Sequence, residues 1–316
     1  MKVYYGTENF EPLPFAIVTA GTFDGVHYGH QQILQQLSTL KNNYSKEKAE
    51  TVLLTYHPHP RTVLFPADDS LHLLTDLDEK IAISSQLGID HFVVLPFTKE
   101  FSQQSSAEFV QKILINTLNT KVLVIGYDHK FGKNREGSFA YLKENEAILG
   151  FEVIEIPPQE IDMLTVSSTK IRKALESGNL DLANELLQIP YRLTGIVSKG
   201  NQIGRTIGFP TANLTITEKL KLIPDEGIYA VIVTHEQQTY KGMLYIGKRT
   251  TLGENLAKTI EVNIFDFDKD IYDQKITLHL IKKLRGEEKF SSLAAMQTQL
   301  ALDKQESLKV LSLFVR

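Results

Sequence analysis

No cysteine occurs anywhere in the 316 residues. That excludes disulfides, thiol catalysis and thiolate metal sites, and it fits a reducing compartment, so a cytoplasmic location is expected. No run approaches the ~18 apolar residues of a membrane span, and no signal-peptide pattern is read at the first residues. An excess of positive charge is missing too. Lys and Arg total 34 against 38 Asp and Glu, a formal charge of −4, which argues against a protein that coats nucleic acid. The pattern G-x-x-x-x-G-K-[ST] is absent, so a P-loop kinase is excluded. No internal repeat or low-complexity tract is visible.

What is present is apolar content of 42 %, enough at this length to bury two cores. The first 155 or so residues alternate strand and helix. Phe15–Ala20, Thr51–Tyr56, His91–Leu95, Lys121–Ile125 and Phe151–Ile156 are short, apolar and β-branched. Thr75 with Asp78, and Ser105 with Glu108, read as capping boxes opening two of the intervening helices. Such alternation predicts a parallel sheet covered on both faces, with ligands beyond the carboxyl ends of its strands. After Pro157-Pro158 the pattern changes. Two short helices are expected over Ser168–Ser177 and Leu180–Leu187. From Tyr191 onward, strands separated by glycines and acidic turn residues predict an antiparallel barrel, closed by helical structure around Leu293–Leu311. The boundary is expected near residue 188, giving domains 1–187 and 188–316. Seven of the nine histidines precede residue 180, which suggests different chemistry in the two halves.

In the first half, four stretches follow strands or open helices. Gly21-Thr22-Phe23-Asp24-Gly25-Val26-His27-Tyr28-Gly29-His30 joins a strand to a helix whose apolar positions are Ile33, Leu34, Leu37 and Leu40. Backbone N–H groups at a helix start lack partners and favour anions, and two imidazoles there can become cationic beside a phosphate. Two histidines three apart also suit a metal, though further ligands nearby are few. Thr55-Tyr56-His57-Pro58-His59-Pro60 reads alone as a stiff turn. Gly126–Gly137, with Asp128 and Arg135, is a glycine-punctuated basic loop that suits either an anionic ligand or simple solvation. Ser167-Ser168-Thr169-Lys170-Ile171-Arg172 offers helix-cap hydroxyls that can equally hold a triphosphate, with Arg172 one turn along.

Taken together these stretches resemble the adenylyltransferase module of the bacterial bifunctional riboflavin kinase/FAD synthetases, whose motifs G-x-F-D-G-x-H-x-G-H, T-F-x-P-H-P, G-x-D-F-x-F-G-x-x-R-x-G and S-S-T-x-I-R occur in this order. The chain departs at Tyr56 and His129, each a phenylalanine in the family. The resemblance implies a Rossmann-like nucleotidylyltransferase domain in which the FMN phosphate attacks the α-phosphate of ATP. His27 and His30 would stabilise charge there, and Ser168, Thr169 and Arg172 would hold the β- and γ-phosphates. Gly21, Phe23, Asp24, Gly29, Asp128 and Arg135 would shape the ATP and flavin pocket. A phosphate monoester is already ionised, so this half needs no general base.

In the second half, the run Gly195 to Asn213 carries Gly200, Gly204, Arg205, Gly208, Phe209 and Pro210. Read alone, it is either a Gly/Pro-rich connection or a ligand loop, with Thr211 and Asn213 as two oxygen donors suited to Mg²⁺. Glu261 alternates with apolar residues in a strand; it is either polar-face filler or a carboxylate aimed into a site. Transfer to an alcohol benefits from a base that accepts the hydroxyl proton. With Pro224, Gly227, Tyr229 and Leu284–Phe290, this half resembles the riboflavin kinase domain of the same family. The resemblance implies that Thr211 and Asn213 hold Mg²⁺ with ATP, that Gly200, Gly204, Arg205, Gly208, Phe209 and Pro210 shape the nucleotide and flavin loop, and that Glu261 deprotonates the riboflavin 5′-hydroxyl. The family's Asn and Pro in G-x-x-N-I-G-x-x-P-T stand here as Tyr245 and Thr250.

The expected fold is therefore α/β, a parallel-sheet domain followed by an antiparallel barrel with a closing helix. The expected activity is riboflavin to FMN to FAD. Its partners would be riboflavin, FMN and ATP, with no nucleic acid or membrane, in a monomer or weak homo-oligomer. Tyr245 and Thr250 keep open an FMN adenylyltransferase with an impaired kinase domain. A non-catalytic flavin- or nucleotide-binding protein is the other alternative, and intact His27, His30, Thr211, Asn213 and Glu261 count against it.

Overall fold

The computed structural model describes residues 1–127, 129–156, 166–199, 208–248 and 258–314. It divides into two compact units, Met1–Ser167 and Ser168–Arg316. The expected boundary lies later, at 187/188. The helices before it, α7 (Ser168–Glu176) and α8 (Leu180–Leu187), group with the second unit because α8 packs on barrel strands and α7 packs on α8.

The first unit is built on a six-stranded, all-parallel sheet. Its strands are β1 (Lys2–Tyr5), β2 (Phe15–Ala20), β3 (Ala49–His57), β4 (His91–Pro96), β5 (Thr120–Gly126) and β6 (Glu152–Ile156), in the order β1-β4-β3-β2-β5-β6. β1 is an edge strand that the hydrophobic pattern did not reveal, because its side chains are mostly exposed. From β2 the chain runs outward through β3 and β4 on one side, then crosses to β5 on the other. The loops after β2 and β5 thus diverge and leave a crevice at the carboxyl edge. On one face Ala16, Val18 and Ala20 of β2 pack with Phe109, Leu114 and Leu123. α1 (Tyr28–Asn43) carries the buried stripe Ile33, Leu34, Leu37 and Leu40 and contacts β2, β3 and β5. Burying each such side chain contributes roughly 1.5–3 kcal/mol before entropy is subtracted.

Between these elements lie α2 (Pro60–Leu64), α3 (Leu77–Gln86), α4 (Ser106–Phe109), α5 (Phe139–Glu144) and α6 (Glu146–Leu149). The Ser105/Glu108 capping box is present at α4. At α3 the box is Asp76 with Glu79, one residue later than expected, because the Thr75 hydroxyl is occupied by the Gly25 amide at 3.0 Å.

In the second unit six antiparallel strands close a barrel in the order β10-β11-β8-β7-β12-β9. They are β7 (Tyr191–Ser198), β8 (Ala212–Thr215), β9 (Gly227–His235), β10 (Gln238–Lys248), β11 (Lys258–Ile264) and β12 (Lys275–Arg285). Glu236 and Gln237, both at positive φ (46° and 67°), form the two-residue turn between β9 and β10, the backbone hand that matches strand twist. A single closing helix, α9 (Leu293–Leu311), packs on β9, β10 and β12, with Leu311 meeting Ala230, Ile232 and Ile281.

Candidate active sites

The β2–α1 turn is held down from behind. Asp24 is 3 % exposed, and its Oδ1 accepts the amides of Leu74 (2.8 Å) and Thr75 (3.2 Å). The Thr22 carbonyl accepts from Thr55 Oγ1 at 3.2 Å and from Lys80 Nζ at 2.6 Å. Phe23 and Val26 sit at φ 48° and 41°, a region unfavourable for aromatic and β-branched residues. Such strain persists only where the surroundings over-determine it, and these anchors do so.

The turn delivers His27 as the N-cap of α1 and His30 as a residue of its first turn. The two rings stack with centroids 3.7 Å apart and planes 18° from parallel, and Phe23 lies 5.0 Å from the His30 ring. Among the described residues no side chain caps this helix start and no acidic residue occupies its first turn, an arrangement that suits an anion. Burial, then the neighbouring His27 and the Lys80 ammonium, hold His30 well below the ordinary imidazole value. Gly29 is buried between the two histidines, and Gly21 opens the turn with its amide on the Leu54 carbonyl at 3.0 Å.

The loop after β5 borders the same crevice. Phe131 and Gly137 bridge each other, and Gly132 at φ 73° lies so close to α4 that a Cβ would come within 2.7 Å of the Ser106 amide nitrogen. The Glu136 carboxylate accepts that amide at 2.9 Å. The exposed Arg135 side chain has no hydrogen bond or ion pair among the described residues. His129, at the family's phenylalanine position, stacks on Phe131 at 5.7 Å, so it serves as an aromatic ring. Tyr56 meets Phe97 and Phe101 at 5.7 and 5.9 Å, and Phe101, Phe109 and Phe131 continue the row along the carboxyl edge. His57-Pro58-His59 ends β3, and the His59 ring caps α2 through the Arg61 amide. Asp128 lies outside the described residues. Ser168, Thr169 and Arg172 open α7 in the second unit, and their expected hold on phosphates rests on the resemblance.

On the barrel, strand register brings three polar residues side by side. Glu261 of β11 is the partner of Asn213 on β8 and of Tyr245 on β10, and cross-strand partners share a face. The Thr211 hydroxyl, just before β8, donates to Glu261 Oε2 at 3.2 Å. Asn263 Nδ2 donates to the Pro210 carbonyl at 2.6 Å, fixing the chain that carries Thr211. Gly208 sits at φ 80° and Phe209 is half-buried. The Tyr245 phenol lies over Gly247 and donates to Glu287 at 2.7 Å; burial and Glu287 push it up. Gly200, Gly204, Arg205 and Thr250 lie outside the described residues. Among the described residues no cluster of three or more His, Asp or Glu side chains could hold a metal by itself.

Sequence reading missed Lys80, which sits 7 % exposed on the buried side of α3. Its only signal was a lysine among the buried Glu79, Ile83 and Ser84, where an apolar residue is usual.

Both units are equipped for chemistry at phosphorus, and the class they define is a two-domain, nucleotide-dependent transferase. A family model described as FAD synthetase matches residues 11–170, and one described as riboflavin kinase matches residues 187–311. Bifunctional riboflavin kinase/FMN adenylyltransferases are similar along nearly the whole length. That of Listeria monocytogenes is 36% identical over 92% of this chain and 91% of its own, and that of Bacillus subtilis 34% identical over 94% and 93%. A crystal structure from Streptococcus pneumoniae described as a macrolide-efflux protein has a TM-score of 0.84 at 30% identity, covering 97% of this chain and 99% of that one. Among the described residues no helix is long and apolar enough to cross a membrane. The chain belongs to the family of bifunctional riboflavin kinase/FMN adenylyltransferases.

Proposed function

We propose that this enzyme, which makes FMN from riboflavin and FAD from FMN, assigns the two steps to the two groups of residues described above. The observation that carries the division is the placement of the carboxylate–hydroxyl pair Glu261/Thr211. Glu261, with Thr211 on its Oε2, belongs to the barrel, whereas the parallel-sheet unit presents an imidazole pair at an uncapped helix start.

In the barrel, the Glu261 carboxylate takes the proton of the riboflavin 5′-hydroxyl as that oxygen bonds to the γ-phosphorus of ATP, and ADP leaves. Thr211 orients the carboxylate through its hydroxyl. Thr211 and Asn213 are hard oxygen donors, and one or two such ligands suit Mg²⁺, which completes its shell with phosphates and water. The ion would supply neutralisation of phosphate charge there.

In the parallel-sheet unit, an FMN phosphate oxygen bonds to the α-phosphorus of ATP while the bond to the β-phosphate oxygen breaks and pyrophosphate departs. No proton must move, because the nucleophile is already ionised. His27, His30 and the α1 amides stabilise the charge gathering on the α-phosphate. Arg135 is available to the nucleotide, and the half-exposed Tyr56, Phe97 and Phe101 form a wall suited to the planar flavin ring. Incubating the protein with riboflavin, ATP and Mg²⁺ and resolving flavins chromatographically tests the proposal. FMN followed by FAD is expected. FAD only from supplied FMN would leave the barrel without its step, and no product would overturn both assignments.

A further inference from the structure

We propose that Lys80 is a positioning residue for adenylylation, a buried ammonium that fixes the β2–α1 turn and places a positive charge behind the imidazole pair. The inference rests on the assignment of His27 and His30 to that step. Lys80 is 7 % exposed, and among the described residues its ammonium makes one hydrogen bond, to a neutral acceptor, the Thr22 carbonyl at 2.6 Å. That carbonyl already has a partner in Thr55 Oγ1, so the turn does not need a lysine merely to satisfy it.

A buried ammonium ordinarily has a carboxylate against it. Here no carboxylate lies within ion-pair distance among the described residues. Asp24 and Asp76 face it and support its charge from farther off, and each has committed an oxygen elsewhere, Asp24 to two backbone amides and Asp76 to the Glu79 amide at 2.7 Å. Glu79, its neighbour on α3, binds the Asp76 amide. The field of the ammonium therefore reaches forward to the turn, where it acts on His30. A buried charge is screened little by salt, unlike an exposed arginine. It attracts a phosphate anion and costs no reorganisation when charge develops on it.

The test compares Lys80→Met and Lys80→Gln, which remove the charge, with Lys80→Arg, which keeps it. Steady-state adenylylation of FMN is measured beside riboflavin phosphorylation in the same proteins. The Met and Gln variants are expected to lose at least tenfold in kcat for FAD formation with KM for ATP within about threefold, and to keep the kinase rate. Lys80→Arg should recover most of the loss. In the Met and Gln proteins the His30 ring resonances should titrate at higher pH than in wild type, and in the Arg protein where they do in wild type. The His91 resonance, from a buried ring on Glu50 in the same unit, reports that the sheet is intact. Wild-type adenylylation rates in the Gln or Met protein, or an unmoved His30 titration, would overturn the inference. If a His30→Asn protein also kept its rate, the assignment of the imidazole pair would fall with it.

Discussion

Replacing His30 by asparagine removes one member of the imidazole pair. With the rings 3.7 Å apart, two protons on the pair would repel by roughly 4 kcal/mol at an effective dielectric near 20, so at most one imidazole is charged before nucleotide binds. His30 is already held low by burial, His27 and Lys80. The arriving triphosphate reverses that balance and draws a proton onto the pair. Loss of one preorganised donor to developing charge costs about 10²- to 10³-fold in kcat, or about 3–4 kcal/mol. The His27→Asn/His30→Asn double variant should then lose much less than the product of the single losses, because the stacked rings act as one unit. FAD formation from FMN and ATP, followed chromatographically, gives the rates, and riboflavin phosphorylation in the same sample shows that the chain is intact. A single variant within threefold of wild type, or fully additive losses, would refute the reasoning.

Binding of ATP at pH 7 should take up part of a proton, seen as a dependence of calorimetric heat on buffer ionisation enthalpy. Lys80 is pulled down to about 8 by burial, against the support of Asp24 and Asp76, so adenylylation should decline as pH rises through about 8 and Lys80→Arg should move that limb higher. For stability the sign is opposite. The unfolded chain binds the lysine proton more tightly, so the contribution of Lys80 to folding improves between pH 8 and the ordinary lysine range, visible in the pH dependence of Tm. Gly132→Ala should destabilise the first unit by about 1–3 kcal/mol in chemical denaturation, through its positive φ and the close Ser106 backbone. Asp303→Ala should cost the barrel unit about 1.5–3 kcal/mol, because it removes the buried carboxylate that accepts from Arg285 Nε and Nη2, the latter at 2.7 Å.

Strand–helix alternation, then strand–turn alternation, was enough to read both architectures, since each follows from a local periodicity. The motifs placed His27, His30, Thr211, Asn213 and Glu261, because their spacing is local and their neighbours are glycines and strands. What stayed hidden was set by distant partners. Asp24 looked like a ligand contact, yet at least one of its oxygens is spent on amides fifty residues away. The α3 box shifted to Asp76 because Thr75 had a tertiary partner. Lys80 is an ordinary lysine in the sequence, and its burial against the Thr22 carbonyl is set by a turn fifty-eight residues away. The pairing of Glu261 with Asn213 and Tyr245 is a matter of strand register, which a single strand pattern does not specify.

The division of labour is tested most directly by a flavin time course with Glu261→Gln protein. With riboflavin, ATP and Mg²⁺, FMN formation should fall at least 10²-fold, while supplied FMN should still be converted to FAD at the wild-type rate. Equal loss of both conversions, or undiminished FMN formation, would contradict it.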